Sequence, residues 1–372
     1  MLDTVILQIP REQVVLLSGA PYVSWTLQKG SEEFKKYVRN QTASQKADGI
    51  YRPRVAFTQR GRYKLVKIEF SAPKLLFGNN LDEVEEKDFG KIVGILKERL
   101  MDFGIKATKK SIRNAPVSSF HPSKNIELGD RYTSSFVIKE LGKINLNRKL
   151  DFTHFKFGND GSSLQYYSNS HSLVIYDKVE DLRKPEKRAV DKEQTPKQRS
   201  LFEVLDKNKE ILRIEVRLSK KRKMNSIISG LGRKKDPTFS DIFKKELCQK
   251  IIQQYWNGFI ADKHKFLFDI DNQPQRSFGS ITNAYPKKKL KEIIYLVGLK
   301  LLAQDKEGIG KLRKLVESRF TRRTWYRISK DLALLNEVPK MRLHSWFSQV
   351  VNSVEKFEPI KLSTLDVKKS KV

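Results

Sequence analysis

The sequence predicts an α+β protein, with an antiparallel sheet over residues 1–235 and a mostly helical, basic region over residues 236–372. Three observations predict it. Before about residue 235, apolar side chains recur every second residue in short runs bounded by Gly, Pro, Asn and Ser, as in strands with one buried face. From Pro237 onward they recur at spacings of three and four, as in amphipathic helices. Hydrophobic residues make up 38% of the chain, with 21 Phe and 12 Tyr, enough for a core and too many for a disordered basic chain.

The elements follow in order. Thr4 to Ile9 reads as a strand stopped by Pro10. Arg54–Thr58 and Lys64–Phe70 read as a hairpin turning at Gln59-Arg60-Gly61-Arg62. Asp88 is placed to cap a helix that buries Ile92, Val93, Leu96, Leu100 and Phe103 and stops at Gly104. Ala115–Phe120 is a strand, followed by His121-Pro122-Ser123-Lys124-Asn125, and a helix covers Thr133–Gly142. Ser163–Tyr167 and Ser172–Tyr176 form a second hairpin. The stretch from Arg183 to Arg199, with seven basic and three acidic residues and two prolines, is a solvated charged segment. The strand Ile211–Leu218 alternates cleanly, with Leu212, Ile214, Val216 and Leu218 on one face and Arg213, Glu215 and Arg217 on the other.

Beyond Pro237 one helical stripe runs from Phe239 through Ile251 and Tyr255 to Phe259. Leu290–Leu302, Gly310–Glu317 and Arg322–Leu335 are further helices. No internal repeat is visible.

With 74 Lys and Arg against 43 Asp and Glu, the formal net charge is +31. That excess calls for a polyanionic partner, nucleic acid or an anionic surface. The best apolar run, Ile293–Leu302, is interrupted by Lys300 and falls short of a membrane span. The N-terminus lacks the basic segment of a signal peptide. A single cysteine, Cys248, leaves no disulfide framework and no Cys-based zinc site, so a cytoplasmic location is expected.

Chemistry is best supported where carboxylates and a phenol sit among cations. Ile175-Tyr176-Asp177-Lys178 places a phenol, a carboxylate and an ammonium in succession at a strand end. A phenol becomes a nucleophile when its proton is removed or a cation stabilises the phenolate. Glu215 lies between Arg213 and Arg217, which suit bidentate binding of phosphate. The plain alternative is a surface turn and a solvated strand face. His121, His154, His171 and Asp151 carry no local signal that separates ligands from structural residues.

Five blocks, in order, resemble the rolling-circle replication initiators of the filamentous-phage gene II and gene X type. They are Leu2–Pro10; Ile68-Glu69-Phe70-Ser71 through Leu81; Val117 through Ile126; Ser172 through Lys178 with Asp181-Leu182; and Leu212-Arg213-Ile214-Glu215-Val216-Arg217-Leu218. The resemblance implies a replication-initiator nickase domain. Such an enzyme is a site-specific single-strand endonuclease and ligase that works through a covalent phosphotyrosine. Carried over by position, Tyr176 is the nucleophile, and Asp177, His121 and Glu215 hold a divalent metal, Mg²⁺ or Mn²⁺. Lys178 and Arg213 steady the phosphate, with Lys124 and Arg217 as further DNA contacts. Tyr166 and Tyr167 stand as alternative nucleophiles and Asp151 as a reserve ligand. His121 departs from the family, standing where some relatives carry Asp.

The helical region holds 14 basic and five acidic residues between Lys287 and Asp331. Thr321 is placed to cap a helix whose first turn carries Arg322 and Arg323, with Arg327 one turn on. Trp325 and Tyr326 are expected to bury, while Phe320 and Leu315 pack the preceding helix. That arrangement suits a recognition helix in a DNA groove. Lys220-Lys221-Arg222-Lys223 suits phosphate contact without sequence readout. The expected partners are origin DNA, double- and single-stranded, with a host replicative helicase and polymerase, no membrane, and a possible homodimer. A non-catalytic DNA-binding protein for plasmid or phage copy control or partition is the competing expectation.

Overall fold

Ten strands form one antiparallel sheet. The structure, a computed structural model, describes residues 1–18, 25–31, 34–129, 131–144, 154–158, 161–183, 209–339 and 341–366. In chain order the strands are β1 (Leu2–Pro10), β2 (Val14–Leu16), β3 (Thr26–Gly30), β4 (Phe34–Arg39), β5 (Arg54–Arg60), β6 (Tyr63–Ser71), β7 (Ile105–Ala107), β8 (Val117–Glu127), β9 (His154–Gly158), β10 (Ser163–Tyr167), β11 (His171–Asp177) and β12 (Ile211–Leu218). The order across the large sheet is β3-β4-β5-β6-β1-β8-β12-β11-β10-β9, and β2 pairs with β7 apart from it.

That order contains a repeat the sequence hides. In the first half β1 is followed by the meander β3-β4-β5-β6, and β6 returns to pair with β1. In the second half β8 is followed by β9-β10-β11-β12, and β12 returns to pair with β8. The two founding strands, β1 and β8, pair at the centre. The trace left in sequence is Lys67-Ile68-Glu69 on β6 against Arg213-Ile214-Glu215 on β12.

β8 runs on past Phe120, where the strand was expected to end, so Pro122 lies inside a central strand. Proline cannot donate to a sheet ladder and is tolerated at bulges. Here β1 and β8 slip register between the Leu2–Pro122 and Val5–Phe120 pairs, which accommodates it.

The alternation expected for β12 is borne out, and β1 and β6 share it. Val5, Leu7 and Ile9, then Val66, Ile68 and Phe70, then Leu212, Ile214 and Val216 are fully buried. Against this face pack the Phe89–Met101 helix, the Ser134–Leu141 helix capped by Thr133, and the Lys245–Trp256 helix. Phe239 meets both Phe70 and Phe89 edge-on, at ring-centroid distances of 5.7 and 5.0 Å. A single stripe from Phe239 to Phe259 was expected; the helix instead breaks after Ile242 and restarts at Lys245. The division at residue 235 marks a change of composition, but one hydrophobic core runs across it.

Farther along, Leu290–Gln304, Gly308–Arg319 and Arg322–Leu334 form a group of three helices. Lys300, which interrupts the apolar run, is buried. Its Nζ donates to Asp269 Oδ2 (2.8 Å), the Asp271 carbonyl (3.0 Å) and Ser277 Oγ (3.1 Å). The charged segment expected at Arg183–Arg199 falls, apart from Arg183, outside the described residues, as does Asp151.

Gly308 ties this helical group to the turn that follows the Ser134–Leu141 helix. Its φ is +64°, and an added Cβ would stand 2.4 Å from the Lys143 Cα. The next amide, Ile309 N, donates to the Lys143 carbonyl at 3.0 Å. Gly308→Ala therefore imposes both left-handed strain and a backbone clash, and a loss of about 2–4 kcal/mol is expected. A fall in the urea midpoint at unchanged m-value is the expected readout.

Candidate functional site

Cross-strand partners share a sheet face, so the register decides which candidates meet. On the face opposite the core, Tyr176 pairs with Arg213, Val174 with Glu215 and Ser172 with Arg217. Glu215 pairs with Ser123 and Arg213 with Asn125. His121 lies two residues before Ser123, on the same face.

At the centre is a buried carboxylate. Tyr176 Oη donates to Glu215 Oε2 at 3.0 Å. Arg217 Nε donates to Glu215 Oε1 at 2.7 Å, and His121 Nδ1 lies 3.4 Å from the same oxygen. Arg213 is fully buried. Its Nη2 donates to Ser123 Oγ (2.9 Å) and reaches Asp3 Oδ2 (3.1 Å), its Nη1 donates to the Asn80 carbonyl (3.0 Å), and its Nε lies 3.7 Å from Glu215 Oε2. Asp3 in turn accepts from Ser71 Oγ at 2.9 Å. Lys178, also fully buried, sits 5.7 Å from the Tyr176 ring centroid and 3.9 Å from Asp181 Oδ2.

The electrostatics follow from burial and from these neighbours. Burial would raise the Glu215 carboxyl, but Arg217, His121 and Arg213 outweigh it and hold the group well below the usual range. Burial pushes the Tyr176 phenol well above its ordinary value, against the pull of Arg213. Burial, with the charge of Arg213, brings the Lys178 ammonium down to about 7. The resting proton therefore sits on the phenol, and Lys178 changes charge near neutrality.

Three expected residues, Asp177, Lys124 and Tyr166, belong elsewhere, and His171, for which no role was expected, is also buried apart from the site. Asp177 pairs with Leu212 and so takes the core side. Its Oδ1 accepts the Glu180 amide at 2.9 Å, opening the Lys178–Arg183 helix. Burial, with the nearby charges of Glu210 and Glu180, raises its carboxyl to about 6. Lys124 is buried on the core side and pairs with Glu83 Oε2 at 2.6 Å, so it does not face a phosphate. Burial would raise the Glu83 carboxyl, but Lys124 holds it near 2. Tyr166 also faces the core and donates to the Leu141 carbonyl at 3.2 Å. His171 is buried, with Nδ1 3.0 Å from both Ser168 Oγ and Ser170 Oγ. Tyr167 shares the Tyr176 face but lies four residues along the hairpin, about 13 Å away.

With Asp177 on the far face, Glu215 and His121 are the two expected ligands that meet, and arginine already occupies the carboxylate. Among the described residues no group of three His, Cys, Asp or Glu side chains is arranged to hold a metal ion. The residues present do not fit the expected divalent site. Sequence reasoning missed Asp3, Ser71, Ser123 and Asn80. The one signal for them was an acid in the otherwise uncharged strand Leu2-Asp3-Thr4-Val5-Ile6.

In the helical region, Arg322, Arg323 and Arg327 are exposed on the Arg322–Leu334 helix, as expected. Trp325 is half-buried beneath Arg313, whose guanidinium carbon lies 5.9 Å from the ring centroid. Tyr326, Phe320 and Leu315 were expected to pack inward but are 62%, 62% and 53% exposed. They cluster around the two-residue turn that separates this helix from the one before it. Lys220, Lys221 and Arg222 are exposed at the start of the Lys221–Gly230 helix. Among the described residues no helix is long and apolar enough to cross a membrane.

Comparisons with protein-family models, curated proteins and solved structures return no match to this chain.

Asp177→Asn separates a ligand from a helix cap. The amide keeps the Oδ1 acceptor and removes a carboxyl that must ionise in a buried place. The folded pKa lies above the unfolded one, so the native state loses stability as pH rises from about 4 to about 6. The variant should gain about 1 kcal/mol at pH 7 after solvent screening, and nothing at pH 3.5. Urea titrations at the two pH values measure the difference; a loss at pH 7 would show that the carboxylate holds something the helix cap does not explain.

Proposed function

We propose that the protein is a rolling-circle replication initiator that nicks and rejoins one DNA strand through Tyr176. The observation that carries this reading is the buried Tyr176–Glu215 hydrogen bond, 3.0 Å long, set among Arg213, Arg217, Lys178 and His121. A phenol beside a carboxylate and several cations is the equipment for attack on a phosphodiester.

In this reading the phenol oxygen attacks phosphorus and the bond to the upstream 3′-oxygen breaks. A 5′-phosphotyrosine and a free 3′-hydroxyl result, and reversal reseals the strand. The resting pair is not yet reactive, because Glu215 is too weak a base and Tyr176 too weak an acid. Arg217 offers a way out: its side chain is 28% exposed and it holds Glu215 Oε1. An incoming phosphate diester draws this guanidinium toward itself. That raises the basicity of Glu215 as it takes the phenol proton. Arg213 and Lys178 offset the growing charge on the phosphoryl oxygens. The leaving 3′-oxygen takes up a proton from solvent or from the ammonium of Lys178. Protein cations supply the charge that a divalent metal was expected to supply.

The helical region would grip duplex origin DNA. Arg322, Arg323 and Arg327 would lie along a groove, and Lys220, Lys221 and Arg222 would contact phosphates. A host helicase and polymerase would then work from the exposed 3′-end. One observation favours the competing reading of a non-catalytic DNA-binding protein: Tyr176 is only 7% exposed, so the polar network would then be purely structural.

The test is covalent capture. Wild-type protein incubated with a labelled single-stranded origin oligonucleotide should give an adduct that survives denaturation. Tyr176→Phe should abolish the adduct and leave binding within about twofold. Adduct formation should fall as pH rises through about 7, where the Lys178 ammonium is lost, and Lys178→Arg should remove that fall. An adduct that persists in Tyr176→Phe would identify another nucleophile, and no adduct under any condition would leave the binding protein.

A further inference from the structure

The half-sheet that repeats the site carries no tyrosine at the matching place. Glu69 on β6 corresponds to Glu215 on β12, each pairing back to the founding strand of its half, with Ile6 and with Ser123. Arg213 corresponds to Lys67. The residue opposite Arg213 is Tyr176, and the residue opposite Lys67 is Ala56. The first half therefore kept the layout and lacks the nucleophile.

It carries a basic surface instead. The register sets Lys67, Arg54, Arg60, Lys36 and Lys29 on the same face as Tyr176 and Glu215. Among the described residues of β3–β6 on this face, five are basic and Glu69 alone is acidic. Lys29 and Lys36 stand directly opposite each other across neighbouring strands. Opposed like charges destabilise a sheet, so this pairing becomes favourable when an anion lies over it. Tyr63, 80% exposed, sits on the same face opposite Arg60. Lysines, arginines and an exposed ring on an open face are the combination that tracks a single strand, phosphates on the cations and bases on the ring.

We infer that this face, β6 to β3, is a second binding surface, a track for single-stranded DNA running on from the Tyr176 site. At about 4.8 Å per strand, the path from β11 is about 19 Å to β6 and about 34 Å to β3, room for several nucleotides. A duplex does not suit it, because the groove of B-DNA admits one helix or a two-stranded ribbon, not the face of a broad sheet. The identity of the strand as DNA rests on the nickase reading; the track itself rests on the face.

Fluorescence anisotropy with oligodeoxynucleotides of about 6 and about 25 residues tests the track. In the quadruple variant Lys29→Ala, Lys36→Ala, Arg60→Ala and Lys67→Ala, affinity for the long strand should fall at least tenfold and affinity for the short one less than twofold. Each phosphate left without its cation should flatten the salt slope by about 0.7, so close to 3 for four. Charge-retaining Lys36→Arg with Lys67→Arg should behave as wild type, which separates lost charge from damaged folding. An unchanged salt slope in the quadruple variant overturns the proposal. Tighter binding of the matching oligoribonucleotide also overturns it, assigning the face to RNA. The covalent adduct on the short strand reads the nickase separately. If the adduct is absent while long-strand affinity falls in the variant, the track stands and the nickase falls. If the adduct forms while long-strand affinity is unchanged in the variant, the track falls and the nickase stands.

Discussion

A buried guanidinium organises this protein. Arg213 has no access to water, and taking a cation out of water costs several kcal/mol unless its hydrogens are met. Its two terminal nitrogens are met from three separate stretches of chain, Asp3 in β1, Ser123 in β8 and the Asn80 carbonyl beyond β6, while Nε makes no hydrogen bond and faces the Glu215 carboxylate at 3.7 Å. The two halves of the sheet must therefore close on each other before Arg213 is satisfied. Glu215, two residues along the strand, meets Tyr176 through the pairing of β12 with β11 inside the second half. Arg213 thus joins the halves and lies beside the site.

Much of this was legible in the sequence, and the failures share a cause. β12 was readable because alternation over eight residues leaves only one assignment of faces. β8 was cut short at Phe120, since proline commonly ends a strand. Its continuation through Glu127 sets His121, Ser123 and Asn125 on one face and sends Lys124 to the other, which turned an expected phosphate ligand into half of a core ion pair. Asp177 went astray by the same parity: a strand that keeps its pleat to its last residue sends neighbours to opposite sides. β4 was missed because Lys35 and Lys36 occupy both of its faces and blur the period, and β3 because Leu27 is its one apolar side chain. Asp3 was invisible because its importance depends on a residue more than 200 positions away.

The charge excess acquires a distribution. Cations around Glu215 are mostly buried, and Arg217, His121 and Arg213 hold its carboxyl low. Those on the Arg322–Leu334 helix and on β3–β6 are more open to solvent, where they attract a polyanion at long range and are screened by salt. The two groups should respond differently to ionic strength, since only the exposed one is weakened by it.

The central position of β1 bears on how the chain acquires its shape during synthesis. β1 emerges first among the strands of the sheet, yet it lies between β6 and β8, and its Leu7 pairs with Val117. At roughly 5–20 residues per second, the ribosome needs about 5–20 s to make the intervening 110 residues. β6 comes out earlier and covers one edge, while the other stays bare until β8 arrives. An apolar strand with an open edge invites pairing with other nascent chains. The layout that builds the site thus gives the growing polypeptide an interval in which one edge of β1 stands open to pairing.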